Sequence, residues 1–148
     1  MKRYFIIALL LTVFVSSCKQ EDDVDPNITK DFVGTWVGEL IVEKGYSNRS
    51  DWKITRVSNT AIKASTVFNF ISTSADYQSY TEESVVENIT VVDDKTFKTT
   101  FSIPTGEGVI NAESVGVISG NLLTVTSTGK NQSTGVAITP TTQKFTKQ

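Results

Sequence analysis

The feature that most limits the possible folds of this chain is the spacing of its apolar residues beyond residue 30. Val, Ile, Thr and aromatic residues form short runs in which every second side chain is apolar. Turn residues interrupt these runs roughly every ten positions. No stretch of about a dozen residues repeats apolar side chains at the 3.6-residue period of a helix. The pattern therefore predicts an all-β domain of short antiparallel strands.

The alternating runs predict about eight strands. Their expected bounds are 34–43, 51–57, 62–70, 85–92, 96–103, 109–118, 122–128 and 135–146. In the first strand, Trp36, Leu40 and Val42 are expected to lie on one face. Residues 72–83 have the weakest strand pattern and are expected to form a loop or lid. We expect Pro104 to end its strand, since proline cannot donate a ladder hydrogen bond.

Two turn signals accompany these runs. Residues 44–48 form a cluster of turn residues. In the sequence Ser119-Gly120-Asn121, Gly120 suits the first central position of a type II′ hairpin turn. We therefore expect a turn after the first strand and a tight hairpin before residue 122.

About eight sequential strands with hairpin-length connections close most simply into an antiparallel up-and-down barrel. Closure removes the unpaired strand edges that would otherwise promote aggregation. A β-sandwich is the alternative fold. Residues 31–148 suffice for one such domain and are too few for two. A barrel of this size either is filled by its own side chains or holds one small ligand.

The first eighteen residues have the pattern of a bacterial lipoprotein signal. Lys2 and Arg3 precede an apolar run at residues 5–15, and Ser17 is the small residue before Cys18, the only cysteine of the chain. The run is shorter than the roughly 20 residues that a membrane-spanning helix needs. We therefore expect residues 1–17 to be removed and Cys18 to be lipidated, which makes the lipid bilayer a partner.

Residues 18–30 are expected to form a tether between the lipidated cysteine and the barrel domain at 31–148. The segment is acidic and poor in apolar residues, so it adds little to a core. An acidic run in this place resembles the export signal that sends lipoproteins of Bacteroidetes-type bacteria to the outer face of the outer membrane. A solvated linker without an addressing role is the alternative. The expected location is the bacterial cell envelope, at the outer membrane.

Composition argues against most enzymatic chemistry. The chain has no histidine, so Ser-His-Asp and Cys-His catalysis and histidine-ligated zinc lack their parts. No Gly-rich phosphate loop occurs. Removal of Lys2 and Arg3 would leave 12 of the 14 basic residues against 16 acidic ones, a balance that argues against nucleic acid as a partner. We expect no enzyme, no metal and no cofactor.

Carboxylate chemistry is the remaining enzymatic possibility. Glu39 with Glu87, or Glu107 with Glu113, could act as the acid and base of a glycan hydrolase. This is a remote alternative, because acidic side chains at outward strand positions are usually solvated.

Gly34, Thr35 and Trp36 at the start of the first strand resemble the Gly-x-Trp opening of lipocalins and of lipocalin-like lipoproteins. In that family the Trp packs at the closed base of the barrel, and an Arg near the last strand usually covers it. The final strand here offers Lys144 and Lys147 instead. The resemblance implies a barrel around an apolar cavity, with a binding role and no catalysis.

The expected function is binding of a small apolar or amphipathic ligand, or of an envelope partner. Six aromatic residues are expected to line a cavity or form the core: Trp36, Trp52, Phe68, Phe70, Phe97 and Phe101. The alternative is an inhibitor or structural lipoprotein that acts through exposed loops such as 72–83.

Overall fold

The computed structural model describes residues 27–75, 77–106 and 108–148. The predicted signal, the lipidation site Cys18 and residues 19–26 of the predicted tether lie outside these ranges. The described chain forms nine strands: β1 Gly34–Gly38, β2 Ile41–Glu43, β3 Tyr46–Arg56, β4 Ala61–Ser72, β5 Tyr80–Val91, β6 Thr96–Thr105, β7 Gly108–Ser119, β8 Leu122–Asn131 and β9 Ala137–Lys147.

All strands join one antiparallel sheet that closes on itself. From β3 to β9 each strand pairs with the next, and β1 pairs with both β3 and β9. Since β1 and β2 follow each other along the edge of β3, they act as one interrupted strand, and the barrel has eight. This confirms the predicted up-and-down barrel and excludes the sandwich.

The first predicted strand is interrupted, and the prediction that Leu40 and Val42 share a face with Trp36 is wrong. Leu40 and Val42 are 60% and 70% exposed. The strand breaks after Gly38, where an added Cβ would overlap the backbone carbonyl oxygen of Ser50. After the break, Val42 pairs with Ser47 on the outer face of β3. The break shifts the alternation, so local spacing alone misplaced both side chains.

Several strands extend further toward one end of the barrel than the sequence predicted. β3 begins at Tyr46, inside the expected turn, and β5 begins at Tyr80, inside the expected loop 72–83. Pro104 does not end its strand but lies within β6, paired with Val109 of β7. At this position β6 has no partner on its other side. It is locally an edge strand, where proline is tolerated.

The barrel has two different ends. At the closed end, where β3, β5, β7 and β9 finish, residues 27–33 fold across the opening and Phe32 is fully buried. Ile28 packs on the core and Thr29 is buried, so barrel contacts begin before residue 31. The core is concentrated here: Trp36, Ile54, Ile62, Ala64, Ile89, Val91, Phe97, Ile118, Leu123, Val125 and Phe145. The opposite end, where β3, β5, β7 and β9 begin, is the open end.

Candidate functional site

Trp36 forms the floor of the barrel interior. Its indole is fully buried, and its Nε1–H donates a hydrogen bond to the carbonyl oxygen of Phe32 at 2.7 Å. The ammonium group of Lys147 lies 5.3 Å from the centre of the indole and donates to the carbonyl oxygen of Asp31 at 2.7 Å. Lys147, from the last strand, thus covers the buried indole of Trp36.

An ion pair and an aromatic contact hold residues 27–33 across the floor. Lys95, in the turn between β5 and β6, contacts the Asp31 carboxylate at 2.7 Å. This hydrogen bond lowers the pKa of Asp31 and raises that of Lys95. The rings of Phe32 and Phe97 meet edge to face, with centroids 5.7 Å apart. The closed end is therefore tied to the turn after β5 and to the core.

A cavity of about 320 Å³ lies above this floor, inside the barrel. Its apolar lining comes from Trp52, Phe68, Val86, Ile89, Phe101 and Val125. Its polar lining comes from Ser50, Thr66, Glu82, Ser84, Thr99, Ser114, Ser127 and Gln143. Because these residues alternate with outward-facing ones along seven strands, β3 to β9, the strand period brings them together.

Small hydroxyl residues create the space of the cavity. The hydroxyl oxygens of Ser114 and Ser127 lie 2.6 Å apart, as do those of Thr66 and Ser84. Trp52 Nε1–H donates to Ser50 Oγ at 3.2 Å. The sequence pattern did not predict these hydroxyl residues, because Ser and Thr occur at both inward and outward strand positions in this chain. The available signal was the two-residue spacing of some of them from an apolar residue on the same strand: Ser50 from Trp52, Thr66 from Phe68 and Ser127 from Val125.

Two larger polar side chains complete the lining. Glu82 of β5 pairs across the sheet with Phe68, and Gln143 of β9 pairs with Val125. Neither side chain has a hydrogen bond or ion pair with another residue in the described part of the chain. A carboxylate and a carboxamide thus remain available to a ligand.

The six predicted aromatic residues separate into three groups. Trp52, Phe68 and Phe101 line the cavity. Trp36 and Phe97 are fully buried in the floor. Phe70 lies nearer the open end. Phe145, which the sequence analysis did not select, packs on Trp52 with ring centroids 4.7 Å apart.

Three rings stack in a row at the open end, across adjacent strands. The centroids of Tyr46 and Phe70 are 5.1 Å apart with planes at 24°, and those of Phe70 and Tyr80 are 5.2 Å apart with planes at 20°. Tyr80 also contacts Phe68 of the cavity wall, at 6.0 Å between centroids. The row therefore continues the cavity lining to its mouth.

The barrel wall has a slit between β5 and β6. These strands pair only at Thr90 with Lys98 and at Val91 with Phe97, although both strands are fully described and continue toward the open end. Asn88 has a positive φ of 56° at an irregularity between β4 and β5. Beyond this bulge the edge of β5 separates from β6, so the cavity has a lateral opening beside its mouth.

The predicted carboxylate pairs are not assembled in the described residues. The Oε1 atom of Glu87 lies 3.9 Å from Lys63 Nζ, and the Oε1 atom of Glu113 lies 3.9 Å from Lys98 Nζ. Both carboxylates are exposed on the outer surface. Glu39 is exposed at the break after β1. Glu107 lies outside the described ranges. The described residues contain no cluster of three His, Cys, Asp or Glu side chains suited to a metal ion.

A wider hollow of about 580 Å³ lies along β6, β7 and β8. It is shallow, and most of its lining side chains face outward from the barrel, including Thr100 and Lys130. We therefore consider the interior cavity the better candidate site.

Among the described residues, no helix has the length and apolar character required to cross a membrane.

The barrel resembles solved small β-barrels. A structure of EF1p2_mFAP2b bound to DFHBI has a TM-score of 0.53 and 15% sequence identity, covering 82% of this chain and 98% of that chain. A redesigned β-barrel, mFAP1, bound to DFHBI, has a TM-score of 0.51 and 17% identity, covering 82% and 99%. The fold is the same. No protein-family model and no curated protein matches the sequence.

Proposed function

We propose that this protein is a lipid-anchored lipoprotein of the bacterial outer membrane whose barrel binds one small amphipathic ligand and catalyses no reaction. The observation that carries the proposal is the interior cavity of about 320 Å³, with aromatic walls, hydroxyl groups and an open mouth. Small-molecule sites typically begin at about 300 Å³ and combine apolar walls with a few polar groups.

The lining favours an amphipathic ligand over a purely apolar one. Trp52, Phe68 and Phe101 supply flat apolar surfaces, while Glu82 and Gln143 supply polar groups that have no protein partner among the described residues. Both groups are exposed, and a hydrocarbon chain would displace part of their water without offering them a hydrogen bond. A ligand with hydrogen-bonding groups would pair with them.

Two further observations support the proposal. Both similar barrels described above were solved with DFHBI bound, so a barrel of this shape accommodates a small molecule. Glu82 is the only carboxylate among the described cavity-lining residues, whereas general acid–base catalysis of glycan hydrolysis uses two. The anchoring part of the proposal rests on the sequence pattern around Ser17 and Cys18.

A titration with N-phenyl-1-naphthylamine, an uncharged fluorescent amphipath, tests the cavity. Thr99→Trp places a large ring inside the cavity, while Thr100→Trp places the same ring on the outer surface beside the wider hollow. We expect Thr99→Trp to abolish binding and Thr100→Trp to preserve it. The reverse result would assign binding to the outer hollow. Absence of binding to folded wild-type protein would count against this ligand class.

A further inference from the structure

We propose that the mouth of the cavity is selective for planar aromatic cations, with Tyr80 as the stacking surface and Glu82 as the counter-charge. This inference rests on the proposed function and names the ligand class of the same site. It follows from three observations. Tyr80 ends the aromatic row, the slit between β5 and β6 lies beside Tyr80, and Glu82 lies deeper in the barrel on the same strand.

Tyr80 ends the row of stacked rings with one face uncovered. The centroid spacings of 5.1 and 5.2 Å are close to the distance between neighbouring strands, so the rings stack in the direction that crosses the sheet. Phe70 covers the Tyr80 face that is turned toward β4. The opposite face is turned toward β6, and the side chain is 51% exposed.

The slit leaves room for a ligand ring at this position. The register of Thr90 with Lys98, continued along β5, would bring Tyr80 beyond Thr105, the last residue of β6, so no β6 residue lies beside Tyr80. Here β6 pairs with β5 only near Thr90 and Val91, at the closed end. A planar ring that enters the slit would therefore become the fourth member of the stack, at the usual spacing of aromatic contacts.

Glu82 determines the preferred charge of that ring. It lies two residues after Tyr80 on β5, so both side chains face the barrel interior and are separated by roughly 7 Å of strand. A fused aromatic ring system spans that distance. Glu82 has no ion pair in the described residues, and no lysine or arginine lines the cavity. A cation would gain both the carboxylate and the π face of Tyr80.

Proflavine and acridine provide a matched pair of probes. They share one tricyclic ring system, but in weakly alkaline buffer proflavine is a cation and acridine is uncharged. We expect folded wild-type protein to bind proflavine about fivefold more tightly than acridine, and this preference to weaken with added salt. Equal affinity for the two probes would overturn the charge selection.

Two pairs of variants test the residues. Glu82→Gln should reduce proflavine affinity about fivefold and leave acridine affinity unchanged, whereas Glu83→Gln, on the outer face of the same strand, should change neither. Tyr80→Leu should weaken both probes about tenfold, and Tyr80→Phe should restore them. The control for the ring is Tyr77→Leu, since Tyr77 is 63% exposed in the preceding loop.

The outcomes separate this inference from the proposed function. If Glu82→Gln and Tyr80→Leu fold normally and bind proflavine as their controls do, the inference is wrong, while N-phenyl-1-naphthylamine binding that depends on position 99 would still support the cavity. If Tyr80→Leu unfolds, the Glu82 pair and the ratio of the two probes decide the question. If the wild-type protein binds proflavine but not N-phenyl-1-naphthylamine, the proposed uncharged ligand class is wrong. The preference for cations at the mouth would still stand.

Discussion

The ammonium group of Lys147 lies 5.3 Å from the centre of the Trp36 indole, and its Nζ donates a 2.7 Å hydrogen bond to the carbonyl oxygen of Asp31, 116 positions away in sequence. One side chain thus joins the last strand to the floor of the barrel and to the segment that covers it.

Replacing Lys147 should destabilise the barrel. Lys147→Ala removes a cation–π contact and a charged hydrogen bond, and we expect a loss of about 1–3 kcal/mol in the free energy of unfolding, measured by chemical denaturation. Lys147→Arg should retain most of the stability, since a guanidinium both stacks and donates. Lys144→Ala, on the same strand, is the control. Equal stability of the two alanine variants would show that the contact contributes nothing.

Removing the Trp36 ring should cost more. Trp36→Ala empties the floor of a large buried aromatic, for which we expect a loss of about 3–5 kcal/mol in the free energy of unfolding. Trp36→Phe keeps much of the volume but leaves the Phe32 carbonyl oxygen without its donor, so its loss should be smaller, about 1–3 kcal/mol. An unchanged denaturation midpoint for Trp36→Ala would contradict the burial of this ring.

Gly116 is predicted to tolerate no side chain while Phe97 is present. A Cβ at Gly116 would overlap the Phe97 ring, whereas a Cβ at Gly106 has no heavy atom within 4 Å. Gly116→Ala should therefore cost about 1–3 kcal/mol of unfolding free energy, and Gly106→Ala should cost little. Adding Phe97→Leu to Gly116→Ala should cost less than the sum of the two single changes. Strict additivity in this cycle would contradict the overlap.

The ion pair between Asp31 and Lys95 should make stability depend on pH at both extremes. The hydrogen bond from Lys95 lowers the pKa of Asp31 below its ordinary 3.8, so the carboxylate stabilises the folded state above that pH and loses this effect as the pH falls through the lowered value. The raised pKa of Lys95 gives stabilisation below its ordinary 10.5 that disappears as the pH rises through the raised value.

Melting temperatures measured across acid pH will check this dependence. Asp31→Asn should flatten the acid decline between about pH 5 and about pH 2. The remaining slope should include Asp93, because the backbone N–H of Lys95 lowers its pKa as well. Glu43→Gln is the control, since it removes an exposed carboxylate of β2 that forms no ion pair among the described residues. An Asp31→Asn curve with the wild-type slope would contradict the prediction.

Lipid attachment should depend on one atom, the sulfur of Cys18. Cys18→Ala should abolish incorporation of radiolabelled palmitate in cells, because no other cysteine is present to be acylated. Ser16→Ala keeps a small residue before the expected cleavage site and should label normally. Equal labelling of wild type and Cys18→Ala would refute the anchoring proposal.

The sequence by itself determined the all-β class, the strand number, the barrel and the interior position of several aromatic residues. Strand alternation is a local property with a period of two, so Trp52, Phe68 and Phe97 could be assigned to the interior from their spacing. The Gly120 turn was also predictable, and its positive φ of 62° agrees with the expected hairpin geometry. Spacing gave the wrong face for Leu40 and Val42, because the inward and outward alternation changes after Gly38. That change is imposed by the backbone of β3, which packs against Gly38.

Only the tertiary structure decided what the interior can bind. The cavity requires Ser114 to face Ser127 and Thr66 to face Ser84, and the register between strands sets those pairs. The slit arises because β5 pairs with β6 only at Thr90 and Val91, and Glu82 lies on the length of β5 that is not paired with β6. Such relationships join residues that are distant in sequence, and the period of a single strand carries no information about them.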